Sequence, residues 1–171
     1  LDSYGIAVFL RKDIDLLEEG YINIYANPTY IEDGTNHPRD MQWLKCRRKD
    51  KSFLLMNVHG LWNGMGKNDS KDRLTQSRKI KQYMESVTMA KILCGDFNLG
   101  PDTKSIALLE EGMNNLVRYY SVGSTRSSLY EKEEKHSDYI FTSPEVTVID
   151  FKAWNDIVSD HAPLSLIFSI S

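Results

Sequence analysis

The stretch 91–101, Lys-Ile-Leu-Cys-Gly-Asp-Phe-Asn-Leu-Gly-Pro, constrains the fold of this chain more than any other part of it. It opens with a short apolar run that is typical of a buried strand, and Gly95 permits a sharp change of direction at the end of that strand. Because residues two apart in an extended segment point the same way, Asp96 and Asn98 leave the strand side by side while Phe97 turns into the core. The stretch therefore predicts a strand whose exit carries two polar side chains, although Asp and Asn also favour plain turns.

Length and composition favour one soluble globular domain that spans residues 1–171. Of the 171 residues, 41% are apolar and 26% are charged, which is enough to build a core. No apolar run reaches the length of a membrane span, and the first residues do not form a signal peptide, which favours a cytoplasmic location. The formal net charge of −3 excludes an overall basic field for nucleic acid but not a local basic patch. Cys46 and Cys94 form neither a disulfide framework nor a metal-site spacing.

Apolar runs of strand length, separated by polar loops, dominate the rest of the chain. Besides the strand before Asp96, the predicted strands are 4–10, 21–25, 41–47, 52–59, 138–142, 146–151 and 164–170. Segments 41–47 and 52–59 flank four charged residues and predict a hairpin, whose second arm is apolar on both faces and therefore central. Its tip, with Arg48, is either a grip for a phosphate backbone or a solvated turn. The segment 27–40, rich in Asn, Pro, Gly and Asp, predicts a loop.

Two helices are predicted between the strands. Asp69 or Ser70 caps the first, whose basic residues, Arg73 among them, are interpreted as solvent charges. Its buried stripe consists of Ile80, Tyr83, Met84 and Val87. Asp102 or Thr103 caps the second helix. Strands outnumber helices, and the helices follow hairpins, so the pattern predicts a layered α/β sandwich of mixed sheets and not a strict βαβ winding.

Polar residues occur where several of the predicted strands begin or end. These residues are His59, Asp96 with Asn98, Asp138, and Asp160 with His161. Each one has an ordinary structural interpretation by itself: a core histidine, a turn, a surface ion pair or a capped turn before a proline. Strand ends at one edge of a sandwich can converge on one cleft, however, and the set together predicts a single site.

In these residues the chain resembles the endonuclease/exonuclease/phosphatase superfamily. The resemblance runs through nearly the whole chain. Its carriers are Asn57-Val58-His59, Gly95-Asp96-Phe97-Asn98, Ser137-Asp138-Tyr139-Ile140-Phe141 and Ser159-Asp160-His161. With its Ser128-Leu129-Tyr130 element the chain is similar to bacterial members of the superfamily. The resemblance implies a two-sheet, four-layer α/β sandwich and metal-dependent hydrolysis of phosphoesters.

The resemblance also implies roles for individual residues. Asp160 would be a ligand of Mg²⁺, with Mn²⁺ as the alternative ion. Asp96 would orient or deprotonate the attacking water, and Asn98 and His59 would donate hydrogen bonds to the phosphate. His161 would face the scissile phosphate, with Asp138 fixing its tautomer, as a carboxylate does for other hydrolytic imidazoles. Arg126, in the loop before Asp138, would contact substrate or form a surface salt bridge.

The superfamily pattern places an Asn on its first strand and a metal-binding Glu on its second. Both precede the predicted strand 4–10, so we expect a domain that is N-terminally incomplete in this chain, with a partial metal site, weak Mg²⁺ binding and little hydrolysis. The pattern also places the first strand beside the last one. We therefore expect the edge of Leu164–Ile170 to be covered by a separate segment, by a second copy of the chain, or by strands of the protein that precede this sequence, because an unpaired edge invites aggregation.

Three functions compete at this point. A Mg²⁺-dependent phosphodiesterase or nuclease leads, because nucleic acid is the commonest substrate of the superfamily. A phosphatase or phosphodiesterase for a lipid headgroup or a small phosphoester comes second, since the acidic balance of the chain suits it better. An apolar rim beside His161 would favour this second function, and a basic strip would favour the first. From another class, the chain could be a non-catalytic domain that keeps the fold for binding.

Overall fold

The computed structural model of the protein describes residues 5–26 and 37–170. In chain order the elements are β1 (Asp15–Tyr25), β2 (Arg39–Arg48), β3 (Lys51–His59), α1 (Lys71–Glu85), β4 (Ala90–Asp96), α2 (Lys104–Glu110), β5 (Asn114–Asn115), α3 (Leu116–Tyr119), β6 (Asp138–Thr142), β7 (Val146–Ala153) and β8 (Leu164–Ile170). No helix in the described part is long and apolar enough to cross a membrane.

Two sheets organise these elements. The larger sheet has the strand order β1-β2-β3-β4-β6-β5. Its neighbouring strands β3 and β4 are paired in parallel, whereas the pairs β1–β2 and β2–β3 are antiparallel. The smaller sheet is the antiparallel pair of β7 and β8. The mixed large sheet, the second small sheet and the few helices confirm the predicted α/β sandwich.

The two faces of the large sheet bury different partners. Trp43, paired with Met56 of β3, contacts Tyr83 of α1 with ring centroids 5.7 Å apart. Phe53 lies on β3, an odd number of residues from Met56, and packs edge-on against Phe168 of β8 with ring centroids 5.5 Å apart. Since side chains alternate along a strand, the helix and the small sheet lie on opposite faces of the large sheet. His59, an even number of residues from Phe53, therefore points to the small-sheet side.

Hairpin, helices and most strands lie where the sequence predicts them. The turn between β2 and β3 is the charged tip, and β3 lies in the middle of the sheet. Ser70 caps α1 by accepting a hydrogen bond from the Arg73 backbone, and Thr103 caps α2. Within the predicted loop 27–40, residues 27–36 lie outside the described part, and Arg39 already belongs to β2.

The predicted strand at 4–10 is wrong over residues 5–10, which belong to no strand; Tyr4 lies outside the described residues. Val8 and Leu10 pack against the core while Phe9 is 95% exposed, so the alternation is that of a strand. No described strand supplies a ladder to this segment, however, and the Ala7 carbonyl accepts a side-chain hydrogen bond from Asn57. An alternating pattern becomes a strand only where a neighbouring backbone pairs with it.

Strand β1 is longer than the predicted segment 21–25 and begins at Asp15. Its first half is charged and exposed, and it pairs with β2 in an antiparallel ladder. Ion pairs join the two strands between Asp15 and Arg47 at 3.0 Å and between Glu18 and Lys45 at 2.5 Å. Because the residues in this half are mostly charged, no apolar run marks it as a strand in the sequence.

The last strand, β8, pairs with β7, and no other described strand pairs with β8. Ile167 in its middle is 55% exposed. The expectation that a separate segment or a second copy covers this edge stays a prediction.

Candidate active site

Strand register brings three of the predicted site residues into one row. In the parallel pair of β3 and β4, His59 lies opposite Asp96. In the antiparallel pair of β4 and β6, Asp96 lies opposite Asp138. Because directly paired residues share a face of the sheet, the three side chains project side by side from one sheet edge.

The chain leaves β4 through a tightly bonded turn. The Asn98 backbone N–H donates to Asp96 Oδ1 at 2.8 Å, which fixes the carboxylate. Asn98 has a φ of 53° and is buried, and its side-chain amide donates to the Gly60 carbonyl at 3.2 Å. Phe97 is fully buried, as predicted. The structure thus brings Asn98 to the site with its amide engaged by the backbone that follows β3.

His161 completes the row from the loop before β8. Its Nδ1 lies 2.9 Å from both carboxylate oxygens of Asp138, and its Nε2 lies 3.8 Å from Asp96 Oδ2. Ser137 Oγ donates to Asp138 Oδ2 at 2.8 Å and holds that carboxylate in place. An imidazole nitrogen that faces a carboxylate is a donor, so Nδ1 carries the proton and Nε2 is the acceptor nitrogen of the ring.

The Arg126 guanidinium lies beside Asp160, His161 and Asp96. Its Nη1 lies 2.8 Å from Asp160 Oδ2 and 2.5 Å from His161 Nε2, and its Nη2 lies 3.9 Å from Asp96 Oδ2. The backbones of Arg126 and His161 also form an isolated antiparallel bridge. Arg126 thus forms a salt bridge, one of the two roles that the sequence allows for it, although its own side chain is only 5% exposed whereas that of Asp160 is 50% exposed.

Electrostatics at the site shift three pKa values. Burial, helped by the neighbouring Asp138, raises the pKa of Asp96. Burial, helped by the positive charge of Arg39, lowers the pKa of His59. The hydrogen bond that His161 donates to Asp138 raises the pKa of His161 against the effect of its burial. The site therefore holds one carboxyl with weakened acidity, one neutral imidazole and one imidazole whose charged form is stabilised.

Carboxylate and imidazole groups cluster closely enough to hold a cation. Ligand atoms of Asp96, Asp138 and His161 all lie within 4.8 Å of one another. Asp160, the metal ligand implied by the resemblance, has its Oδ2 3.9 Å from His161 Nε2. At this position the carboxylate of Asp160 is paired with a cation, the Arg126 guanidinium.

Arg48 is not part of this cluster. It lies at the tip of the β2–β3 hairpin, at the opposite end of β3 from His59, and forms an ion pair with Asp13 at 2.9 Å. Eight residues of extended strand separate the two ends by about 26 Å. Arg48 therefore lies outside the cluster around His59, and its contact with a phosphate backbone stays a prediction.

Sequence reasoning missed Lys67 and Tyr130 as neighbours of the site. Lys67 lies in the loop between β3 and α1, is only 4% exposed, and donates to the His136 carbonyl at 3.0 Å. The Arg126 guanidinium lies over the Tyr130 ring, 4.5 Å from its centroid. A lysine within a run of Gly and Asn gives no periodic signal, whereas the Ser-Leu-Tyr element containing Tyr130 was visible in the sequence.

The layered sheets and the polar row at one sheet edge define an α/β-sandwich protein with a candidate hydrolytic centre. A model of the endonuclease/exonuclease/phosphatase family matches residues 2–161, and the chain belongs to this family, whose members are phosphoester hydrolases. Among curated protein sequences, none matches the chain.

Solved structures share the fold. A family member from Bacteroides thetaiotaomicron is 22% identical with a TM-score of 0.73, and a mannosyl-6-phosphatase from the same organism is 20% identical with a TM-score of 0.74. TDP2 from D. rerio, complexed with a single-strand DNA product, is 17% identical with a TM-score of 0.66. Each similarity covers 92% of this chain. The chain spans 65%, 68% and 69% of those three chains, respectively.

Proposed function

We propose that the protein hydrolyses phosphoesters with the help of a divalent metal ion, Mg²⁺ or alternatively Mn²⁺, and that its substrate is a phosphodiester. The observation that carries this proposal is the His161–Asp138 pair with Asp96 and Arg126 directly beside it. In-line attack on a phosphodiester gathers negative charge on the non-bridging oxygens, and this charge needs cationic and hydrogen-bonding groups around it. The cluster offers these groups together with a carboxylate for the attacking water.

The residues fit a magnesium ion. Mg²⁺ prefers oxygen ligands and binds through one or two carboxylates while it keeps several waters. Oxygens of Asp96 and Asp160 both face the Arg126 guanidinium, so these carboxylates already converge on one positive group. We assign Asp160 as a ligand, with Asp96 next to it. When bound, the ion would supply charge neutralisation at the phosphate.

The remaining steps belong to side chains of this chain. Asp96, held by the Asn98 backbone N–H, accepts the proton of the attacking water, and its raised pKa makes it a better base. Asp138 keeps the Nδ1 proton on His161, so that the Nε2 side of the ring faces the phosphate. Arg126 offers two guanidinium N–H groups to the non-bridging oxygens. His59 and Asn98 would complete the set of donors.

Fold neighbours are consistent with this chemistry without identifying the substrate. One carries the name of a sugar phosphatase, and another is complexed with a DNA product. A sugar phosphate and a DNA strand both contain phosphoester bonds, but the two molecules differ in the groups attached to the phosphate. Nucleic acid and a small phosphoester therefore both remain substrates to be tested.

One observation favours the second candidate, a phosphoester with an apolar group. A cavity of about 740 Å³ lies beside Arg126 and is lined in part by Tyr120, Phe151, Trp154 and Ile157. Rings and aliphatic side chains of this kind bury apolar surface rather than a phosphate backbone.

The test is a hydrolysis assay of the purified protein on bis(p-nitrophenyl) phosphate, single-stranded DNA and phospholipid, with Mg²⁺, Mn²⁺ or EDTA. We expect slow turnover with metal and none in EDTA, and a further loss of at least about a hundredfold in His161→Ala and Asp96→Asn. Asp150→Asn, at an exposed position of β7, is the matched control. Equal rates in wild type and both site variants would refute the proposal, and absence of any turnover would favour a non-catalytic domain.

A further inference from the structure

Three cationic side chains converge on one aromatic ring next to the candidate active site. Around the Tyr130 ring, the charged groups of Arg126, Lys67 and Lys135 lie 4.5, 5.1 and 5.8 Å from the centroid. We call Lys67, Arg126, Tyr130 and Lys135 the Tyr130 cluster. Like charges gathered this closely repel one another, so the arrangement needs a reason.

Internal carboxylates neutralise only part of the cluster. Arg126 is paired with Asp160, as described above. Among the residues that the structure describes, neither Lys67 nor Lys135 has a carboxylate within 4.0 Å of its ammonium group. Their hydrogen bonds run to neutral backbone carbonyls, from Lys67 to His136 at 3.0 Å and from Lys135 to Tyr130 at 3.3 Å. Two positive charges are thus left for an external partner.

Lys67 is held in place and is not a freely moving surface lysine. Its side chain is buried. Its Nζ can donate three hydrogen bonds, of which the His136 carbonyl accepts one. Burial and the nearby Arg126 lower the pKa of Lys67 to about 8. The carboxylates of Asp96, Asp138 and Glu134 raise that pKa only in part. A buried cation without a partner is costly, and an anion bound beside it would remove that cost.

The aromatic part of the cluster is anchored to the active-site loop. Tyr130 N–H donates to the Ser127 carbonyl at 3.2 Å, and Ser127 N–H donates to the Asp160 carbonyl at 3.1 Å. Ser127 Oγ donates to the Ser159 carbonyl at 2.5 Å. The turn that carries Tyr130 is therefore bonded to the backbone beside His161, and the cluster has a fixed position relative to the site.

We propose that the Tyr130 cluster binds a second phosphate of the substrate, one that is not cleaved, next to the phosphate that lies at Asp96 and His161. This inference rests on the proposed function for the position of the scissile phosphate. Arg126 belongs to both sites, since one nitrogen lies 3.9 Å from Asp96 while its guanidinium stacks on Tyr130. The substrate class is therefore a phosphoester that carries another phosphate close by, either as the next link of a polynucleotide or as a terminal monoester.

A matched pair of chromogenic substrates tests the second site. Thymidine 5′-(p-nitrophenyl phosphate) and its 3′-phosphorylated form differ by a single phosphate group. We expect the wild type to prefer the phosphorylated form in kcat/KM, and K67M to lower that preference by about tenfold, the equivalent of about 1.4 kcal/mol. K135M, at an exposed position where folding is not at risk, should lower it in the same direction. The same variants are then assayed on a thymidine oligonucleotide, which identifies the source of the second phosphate. A similar loss of kcat/KM in the variants indicates the polynucleotide backbone, and no loss indicates a terminal monoester.

Lys132→Met is the control, because Lys132 lies in the same loop but over Trp62, outside the cluster. It should leave the substrate preference unchanged. A second measurement is independent of turnover: calorimetric binding of inorganic pyrophosphate in EDTA should weaken at least about tenfold in K67M and in the K67M/K135M double variant. If no protein hydrolyses either ester, the proposed function fails, and the pyrophosphate titration still decides this inference. Equal pyrophosphate affinity in wild type and both variants, or no binding at all, overturns it.

Discussion

The imidazole Nδ1 of His161 lies 2.9 Å from each carboxylate oxygen of Asp138, while the other ring nitrogen faces Asp96 and Arg126. The two residues are far apart in the chain, and the Asp138 carboxylate is in turn held by Ser137. A carboxylate that is itself fixed sets both the orientation and the tautomer of the ring. The relationship therefore predicts how the site responds when the carboxylate is removed.

Asp138→Asn should reduce kcat by at least about a hundredfold, because the amide no longer favours the Nδ1–H tautomer of His161. It should also lower the pKa of His161, since the hydrogen bond that His161 donates to the Asp138 carboxylate is the main reason for its elevation. The pH dependence of kcat/KM and the NMR titration of the His161 ring measure the two effects. Asp150→Asn serves again as the control for loss of a carboxylate. A His161 pKa that stays at its wild-type value in Asp138→Asn would contradict the assignment.

Gly95 should tolerate no side chain. Its φ is 135°, and an added Cβ would collide with the carbonyl oxygen of Val58 on the neighbouring strand. Gly95→Ala therefore forces β3 and β4 apart and should destabilise the protein by about 3 kcal/mol or more, as measured by urea unfolding. Gly123→Ala is the matched control, because nothing lies within 4 Å of its added Cβ. Equal stability of the two variants would show that the close contact of β3 and β4 is not needed.

The row of His59, Asp96 and Asp138 was predictable because each residue ends or opens an apolar run. Runs of this kind become neighbouring strands, and strands in register bring their ends together at one edge. The pairing of His161 with Asp138 was predicted from the resemblance, and the geometry agrees with it. The chemical roles of these residues stay proposals until variants are assayed.

Residues whose environment depends on distant backbone could not be predicted. Arg73 was interpreted as a solvent charge because it is an arginine on a polar helix, yet it is only 1% exposed. Lys67 gave no signal, since its burial depends on the position of the His136 carbonyl. Residues 5–10 have the alternation of a strand, but pairing is a property of the neighbour and not of the segment. Tertiary context decided all three cases.

The low pKa of Lys67 predicts how stability varies at alkaline pH. In the unfolded chain this lysine loses its proton near 10.5, and in the folded protein near 8. Between these values the unfolded state binds more protons, so the contribution of Lys67 to the free energy of unfolding rises with pH across this window. Lys67→Met lacks the effect. We therefore expect the wild type to gain stability relative to Lys67→Met from about pH 8 to about pH 10.5 in chemical denaturation, with Lys132→Met as the reference for an exposed lysine. A constant difference across this range would contradict the assigned pKa.

Arg73 should be one of the most sensitive positions for stability. From α1 its guanidinium donates to the carbonyls of Leu61 at 3.2 Å, Gly66 at 2.8 Å and Asn68 at 2.6 Å, so one side chain holds the whole loop that carries Lys67. Arg73→Met leaves these acceptors without their donor and should cost about 2–4 kcal/mol in the free energy of unfolding. Arg73→Lys should recover only part of this loss, because an ammonium group cannot reproduce the planar fork.

Arg78→Met, at an exposed position of the same helix, is the control and should change stability by no more than about 0.5 kcal/mol. A second readout separates a local effect from global unfolding. Under conditions where Arg73→Lys remains folded, the displaced loop should move Lys67 and weaken the binding of inorganic pyrophosphate, whereas Arg78→Met should bind it as the wild type does. If Arg73→Met unfolds at the same urea concentration as Arg78→Met, the three carbonyl contacts do not hold the loop.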